Sequence, residues 1–145
     1  MPVQPGSLID QAIAQEFTAN DGFFGSYARI TYDFAVSGGA IGTIILGPVL
    51  PANWVCIGGQ LHVITQFTGA TNTLAIGLNT TTDLQAATAI ATYGTTGVHA
   101  LIPVFTAATS VALTAARQVT LTIATANITA GKGVIYLAGY YGAIA

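Results

Sequence analysis

Gln118-Val119-Thr120-Leu121-Thr122-Ile123-Ala124-Thr125 alternates polar and apolar side chains as far as Ile123. Successive side chains of a β-strand point to opposite faces, so Val119, Leu121 and Ile123 face a core while Thr120 and Thr122 face outward. The same period of two recurs upstream. Leu61, Val63, Thr65 and Phe67 alternate with Gln60, His62, Ile64 and Gln66, and Leu74, Ile76 and Leu78 share one face. Nearer the N-terminus, Ala28, Ile30, Tyr32, Phe34 and Val36 oppose Arg29, Thr31 and Asp33. Thr43–Leu46, Trp54–Ile57, Val98–Phe105 and Ser110–Leu113 read as shorter strands, and Gly133–Tyr141 as the last one. Ser37-Gly38-Gly39, Gly47-Pro48 and Gly58-Gly59 read as the breaks between them. Pro103 marks an edge or a bend. Asn79–Tyr93 reads as a long connection with one helical turn over Leu84–Ala87. About eight short strands between Gly, Pro, Asn and Thr turns predict an all-β antiparallel β-sandwich. The long connections favour the jelly-roll type, with its two Greek keys.

The first 25 residues break this pattern and hold three of the five carboxylates, Asp10, Glu16 and Asp21. Ser7-Leu8-Ile9-Asp10 resembles a helix-capping start, and Leu8, Ile9, Ala12, Ile13 and Phe17 form an apolar stripe at helical spacing. Asn20-Asp21-Gly22 is a turn signal that ends it. The division expected is an N-terminal arm, residues 1–25, that holds a short helix, and a β-sandwich domain, residues 26–145.

Charged residues are 6% of the 145-residue chain and hydrophobic ones 52%, against roughly 25% charged in ordinary soluble domains. Mean hydropathy is +0.67. No charged side chain lies between Asp33 and Asp83, between Asp83 and Arg117, or after Lys132. Either a membrane or other subunits must cover such a surface. The best candidate span, Gly39–Ile57, contains Pro48, Pro51 and Asn53, which makes a poor membrane helix. A small membrane barrel is the lesser alternative, so no membrane partner is expected. Met1-Pro2-Val3-Gln4-Pro5 lacks the basic start and apolar core of a secretion signal. Arg29, Arg117 and Lys132 are too few and too scattered to follow a phosphate backbone, which argues against nucleic acid.

Candidate chemistry is sparse. The β region holds only Asp33 and Asp83 as acids and no nucleophile elbow. His62 and His99 fall on different predicted strands without a third ligand at metal-binding spacing. His62, on the polar face of its strand, reads as a surface or interface histidine. Cys56 follows Trp54-Val55 and reads as a buried thiol. No enzyme, cofactor, metal or small-molecule substrate is expected.

The informative feature is the last strand. Val134, Tyr136, Ala138 and Tyr140 lie on one face and Ile135, Leu137, Gly139 and Tyr141 on the other, so neither face suits water. A two-layer sandwich normally leaves one face of each sheet solvated and polar. A strand apolar on both faces is built to be covered on the second one. The expected contact residues are Leu8, Ile9, Ile13 and Phe17 of the arm, with Ile135, Leu137, Tyr141 and Ile144 near the C-terminus.

Gly59-Gln60-Leu61-His62-Val63-Ile64-Thr65-Gln66-Phe67-Thr68-Gly69, Leu74–Gly77, Asp83–Thr88, Val119–Ile123, Thr129–Gly131 and Val134–Tyr136 together resemble the jelly-roll capsid decoration, or cement, proteins of tailed bacteriophages. The resemblance spans residues 59–141. It implies a homotrimer, made in the host cytoplasm, that sits on the outer capsid surface of the virion. There it stabilises the shell by bridging major capsid protein subunits, and it carries no catalytic residue. The competing expectations are another virion module (tail, neck or head fibre) and a carbohydrate-binding sandwich that stacks sugars on Tyr93, Tyr140 or Tyr141.

Overall fold

The computed structural model describes residues 25–141 of the chain. The expected arm helix and four of the expected contacts, Leu8, Ile9, Ile13 and Phe17, lie outside the described residues, as does Ile144. Gly25, placed at the end of the arm by the sequence, opens the first strand.

Nine strands form two antiparallel sheets. They are β1 (Gly25–Asp33), β2 (Gly42–Leu50), β3 (Trp54–Gly69), β4 (Thr73–Gly77), β5 (Gln85–Ala89), β6 (Gly97–Val104), β7 (Val111–Ala112), β8 (Arg117–Ala124) and β9 (Ile128–Tyr141). One sheet has the order β1-β9-β3-β6, with the two-residue β7 pairing onto β3, and the other has the order β2-β8-β4-β5. Apart from β4 and β5, which pair side by side, and β6 and β7, which both pair onto β3, consecutive strands switch sheets as in a jelly roll, and the two four-strand paths are its two layers. The sheets are separate layers and do not close into a single barrel.

Alternation places the core. Val119, Leu121 and Ile123 of β8 and Leu74 and Ile76 of β4 meet Leu61, Val63 and Phe67 of β3 and Ile30 and Tyr32 of β1, all buried. Each such aliphatic side chain removed from water contributes about 1.5–3 kcal/mol. Tyr32 stacks on Phe67 at a 5.5 Å centroid distance, and Phe67 meets Tyr93 edge-on at 6.3 Å. The Tyr32 hydroxyl donates to the Gly38 carbonyl at 2.6 Å. Burial, with Asp33 beside it, pushes the Tyr32 phenol up to about 12. Tyr93 is buried in the core, so it offers no sugar-stacking platform.

Several sequence boundaries are corrected. The first strand stops at Asp33, because the Asp33 carboxylate accepts from the Ala35 N–H at 3.0 Å and caps a helical turn, α1 (Phe34–Ser37). β2 runs through Gly47-Pro48 to Leu50, because Gly47 adopts φ +71 and makes a bulge at an edge where a proline is tolerated. Gly58-Gly59 is not a turn. It lies inside β3, a strand of 16 residues. Leu84–Ala87 is not helical: Gln85–Ala89 pairs with β4 as β5, and a 3-10 turn follows at Ile90–Tyr93. β9 begins at Ile128, five residues before the expected start.

Ile135 and Leu137, expected as contacts, face inward. Leu137 is only 1% exposed and lies opposite buried Ala28, so both belong to the sandwich core. The apolar face of β9 that remains outside is the other one.

Candidate interaction surface

Register across the first sheet defines its outer face. Residues opposite one another on neighbouring strands point the same way. One rung joins Tyr27, Ala138, Gly58 and Val104, the next joins Arg29, Tyr136, Gln60 and Ala100, and a third joins Thr31, Val134, His62 and Val98. Inward residues Ala28, Leu137 and Gly59 alternate with these rungs, so the rungs point outward, and of their members Val134 is only 1% exposed.

The middle of this face is floored by small residues, Gly58, Ala138 and Ala100. Larger side chains stand around them. Tyr27 is 79% exposed, Tyr136 42% and Phe105 73%, and Val98 and Val104 are exposed as well. The result is a groove of about 300 Å³ between Tyr27, Tyr136, Pro103, Val104 and Phe105. Gly58 leaves room for this ring: a Cβ would approach the Phe105 Cζ to 2.8 Å, so a side chain here would push the ring aside.

Phe105 itself is unusual. It has φ +62, a left-handed conformation that is disfavoured for a bulky residue. The surrounding turn holds it there. Its N–H donates to the Ile57 carbonyl at 2.7 Å. The Val104 N–H donates to Thr109 Oγ1 at 3.1 Å, and the Ser110 hydroxyl donates to the Thr106 carbonyl at 2.8 Å. An exposed aromatic kept in a costly backbone conformation by five neighbouring residues is a positioned group. Nothing in the sequence around Pro103-Val104-Phe105 distinguishes it from the end of an ordinary strand. Tyr27, in contrast, follows from the period of two that places Ala28 and Ile30 inside.

The remaining expected residues are scattered. Tyr141, at the end of β9 opposite Trp54, is exposed, and Tyr140 beside it is exposed on the outer face. His62 and His99 sit on adjacent strands but on opposite faces, since His62 pairs with Val98 and His99 with Leu61. His62 is exposed outside, whereas His99 meets the Tyr93 ring edge-on at 5.2 Å. Cys56 is buried, burial pushes its thiol up to about 11, and its S–H donates to the Gly58 carbonyl at 3.5 Å. At neutral pH it is a protonated, shielded packing group. The Asp83 carboxylate accepts from the backbone N–H groups of Leu78, Asn79 and Thr80 at 2.6, 2.8 and 3.1 Å, a loop staple. Among the described residues no three His, Cys, Asp or Glu side chains converge as metal ligands, and no helix is long and apolar enough to cross a membrane.

No protein-family model and no curated protein matches the sequence. Solved structures do match the fold. A chain of the cyanophage Pam1 capsid asymmetric unit superposes with a TM-score of 0.60 at 18% identity, covering 84% of this chain and 89% of that one. A chain of the Ralstonia phage GP4 capsid gives 0.54 at 23% identity, covering 84% and 88%. A chain of the acid-stable capsid of Helicobacter pylori bacteriophage KHP30 gives 0.53 at 16% identity, covering 85% and 92%. The jelly roll described above is thus a fold that occurs, at nearly full length, in chains of three phage capsid structures.

Proposed function

We propose that this chain is a structural virion protein and not an enzyme: a capsid decoration, or cement, protein on the outer surface of a phage capsid. It acts as a homotrimer, made in the host cytoplasm, that bridges major capsid protein subunits. The observation that carries this reading is the outer face of the β1-β9-β3-β6 sheet, an aromatic and aliphatic surface on a fold shared with chains of phage capsids. A bridging protein works by removing surface from water at subunit joints, and each joint needs only a few kcal/mol because many copies act together. Low charge suits this task, since few charged groups have to be desolvated at the joint.

The test is stoichiometry and mass. Light scattering of the free protein should give three times the 14.7 kDa chain mass. Particles of the encoding phage should carry the chain in hundreds of copies spread over the shell. A strict monomer that fails to bind expanded capsids overturns the reading, and a few copies at one vertex would assign it to a tail, neck or head-fibre module instead. Exposed Tyr27, Tyr136 and Tyr140 favour one other reading, a sugar-stacking face. Glycan-array binding lost on Tyr136→Ala would support that alternative.

A further inference from the structure

We infer that in the free protein residues 8–17 of the same chain occupy the groove between Tyr27, Tyr136 and Phe105. This rests on the reading of that face as the assembly surface and names what fills it in the free chain.

Three observations carry the inference. The first is where the chain enters the fold. Gly25 lies opposite Tyr140 at the edge of the sheet, two residues before Tyr27, which forms one wall of the groove. Residues 18–24 can span at most roughly 25 Å, whereas crossing from β1 to β6 takes three strand spacings, about 14 Å. The segment therefore reaches the whole groove without leaving its own sheet.

The second is chemistry. The groove is uncharged and apolar, with a floor of Gly58, Ala138 and Ala100 that leaves room for a large side chain. Leu8, Ile9, Ile13 and Phe17 supply branched and aromatic groups at spacings that place them on one side of a helix. The third is charge. Residues 1–24 contain Asp10, Glu16 and Asp21 and neither Lys nor Arg. The outer face beside the groove carries exposed Arg29, on the rung of Tyr136. An acidic segment with one apolar side complements an apolar groove rimmed by a cation, and covering this patch keeps it from non-specific contacts before assembly.

The experiment uses the full chain with Phe17 replaced by p-benzoylphenylalanine and irradiated at low protein concentration. The expected result is a cross-link within the single-chain band, mapping to Tyr27, Val98–Phe105 or Val134–Ala138, and reduced severalfold by Arg29→Glu. In parallel, the double variant Ile13→Asp/Phe17→Asp should raise the fluorescence of a bound hydrophobic dye at least about twofold with the near-ultraviolet circular dichroism unchanged. Cross-links found only between chains, only on the β2-β8-β4-β5 sheet, or not at all overturn the inference, as does unchanged dye binding in the double variant. Particle incorporation of Tyr136→Asp is measured separately. Its loss without an intrachain cross-link retains the proposed function and removes the cover. An intrachain cross-link with normal incorporation removes this face from assembly and leaves the cover as a feature of the free fold.

Discussion

The two sheets of this sandwich show opposite outer faces. On the β1-β9-β3-β6 sheet, Tyr27, Tyr136, Tyr140, Val98, Val104 and Phe105 stand exposed around a floor of small residues. On the β2-β8-β4-β5 sheet the corresponding rungs are Thr43, Thr122 and Ala75, then Ile45, Thr120 and Gly77. There the polar atoms are tied to their own sheet. Thr43 and Thr122 share a hydroxyl hydrogen bond at 3.1 Å, the Gln118 amide donates to the Gly47 carbonyl at 2.7 Å, and the Thr120 hydroxyl donates to the Gly77 carbonyl at 3.4 Å. Both inner faces are equally apolar, so folding alone does not explain the contrast. The threonine-rich face exposes large strand side chains, Ile45 and Val49, only along edge strand β2, whereas the aromatic face has apolar area to bury around a central groove.

The sharpest way to break this contrast uses two consecutive positions of β9. Leu137→Asp places an unpartnered charge in the core and should cost about 4 kcal/mol or more, a large part of the 5–15 kcal/mol that holds a typical domain together. A denaturant midpoint close to that of the native chain would show that Leu137 is not the inward residue. Tyr136→Asp, one position away, should leave the midpoint nearly unchanged yet weaken association by about 2 kcal/mol, roughly thirtyfold. Association equal to that of the native chain, measured by sedimentation or particle incorporation, would remove the aromatic face from assembly. Phe105→Gly separates the two properties. It relieves the left-handed strain and should raise stability by about 1 kcal/mol while weakening association; a loss of stability would make Phe105 a structural residue. The smallest effect is expected across the molecule, where Thr122→Asp should change both stability and association by no more than about 0.5 kcal/mol. A larger loss of association there would erase the difference between the two faces.

Much of this was legible in the sequence because one physical signal dominates a half-buried strand. Val119, Leu121 and Ile123 point inward as their alternation requires, and so do Leu61, Val63 and Phe67. The signal failed where both neighbours of a residue are apolar. In Val134–Tyr141 alternation carries no information, so whether Leu137 or Tyr136 faces the core is decided by register with Ala28 and Gly59 on the adjoining strands. Gly58-Gly59 reads as a turn because glycine is usually punctuation. Here the absence of side chains makes room for Phe105 on one face, and for Leu101 and Leu137 on the other. Such a requirement comes from residues more than forty positions away and has no local trace. The β5 segment Gln85–Ala89 lacked alternation and held a single β-branched side chain, Thr88, and only its pairing with β4 makes it a strand.

Among the described residues a single ion pair is present, between Lys132 and Asp33 at 3.3 Å, and both side chains are partly solvated. Exposed pairs of this kind contribute at most about 1 kcal/mol, and dissolved ions screen that contribution further. Screening therefore has little to act on in this sandwich. Its cohesion comes from a dry aliphatic and aromatic interior whose strength does not depend on the ionic atmosphere. The described fold should unfold at nearly the same temperature in dilute buffer and in molar sodium chloride.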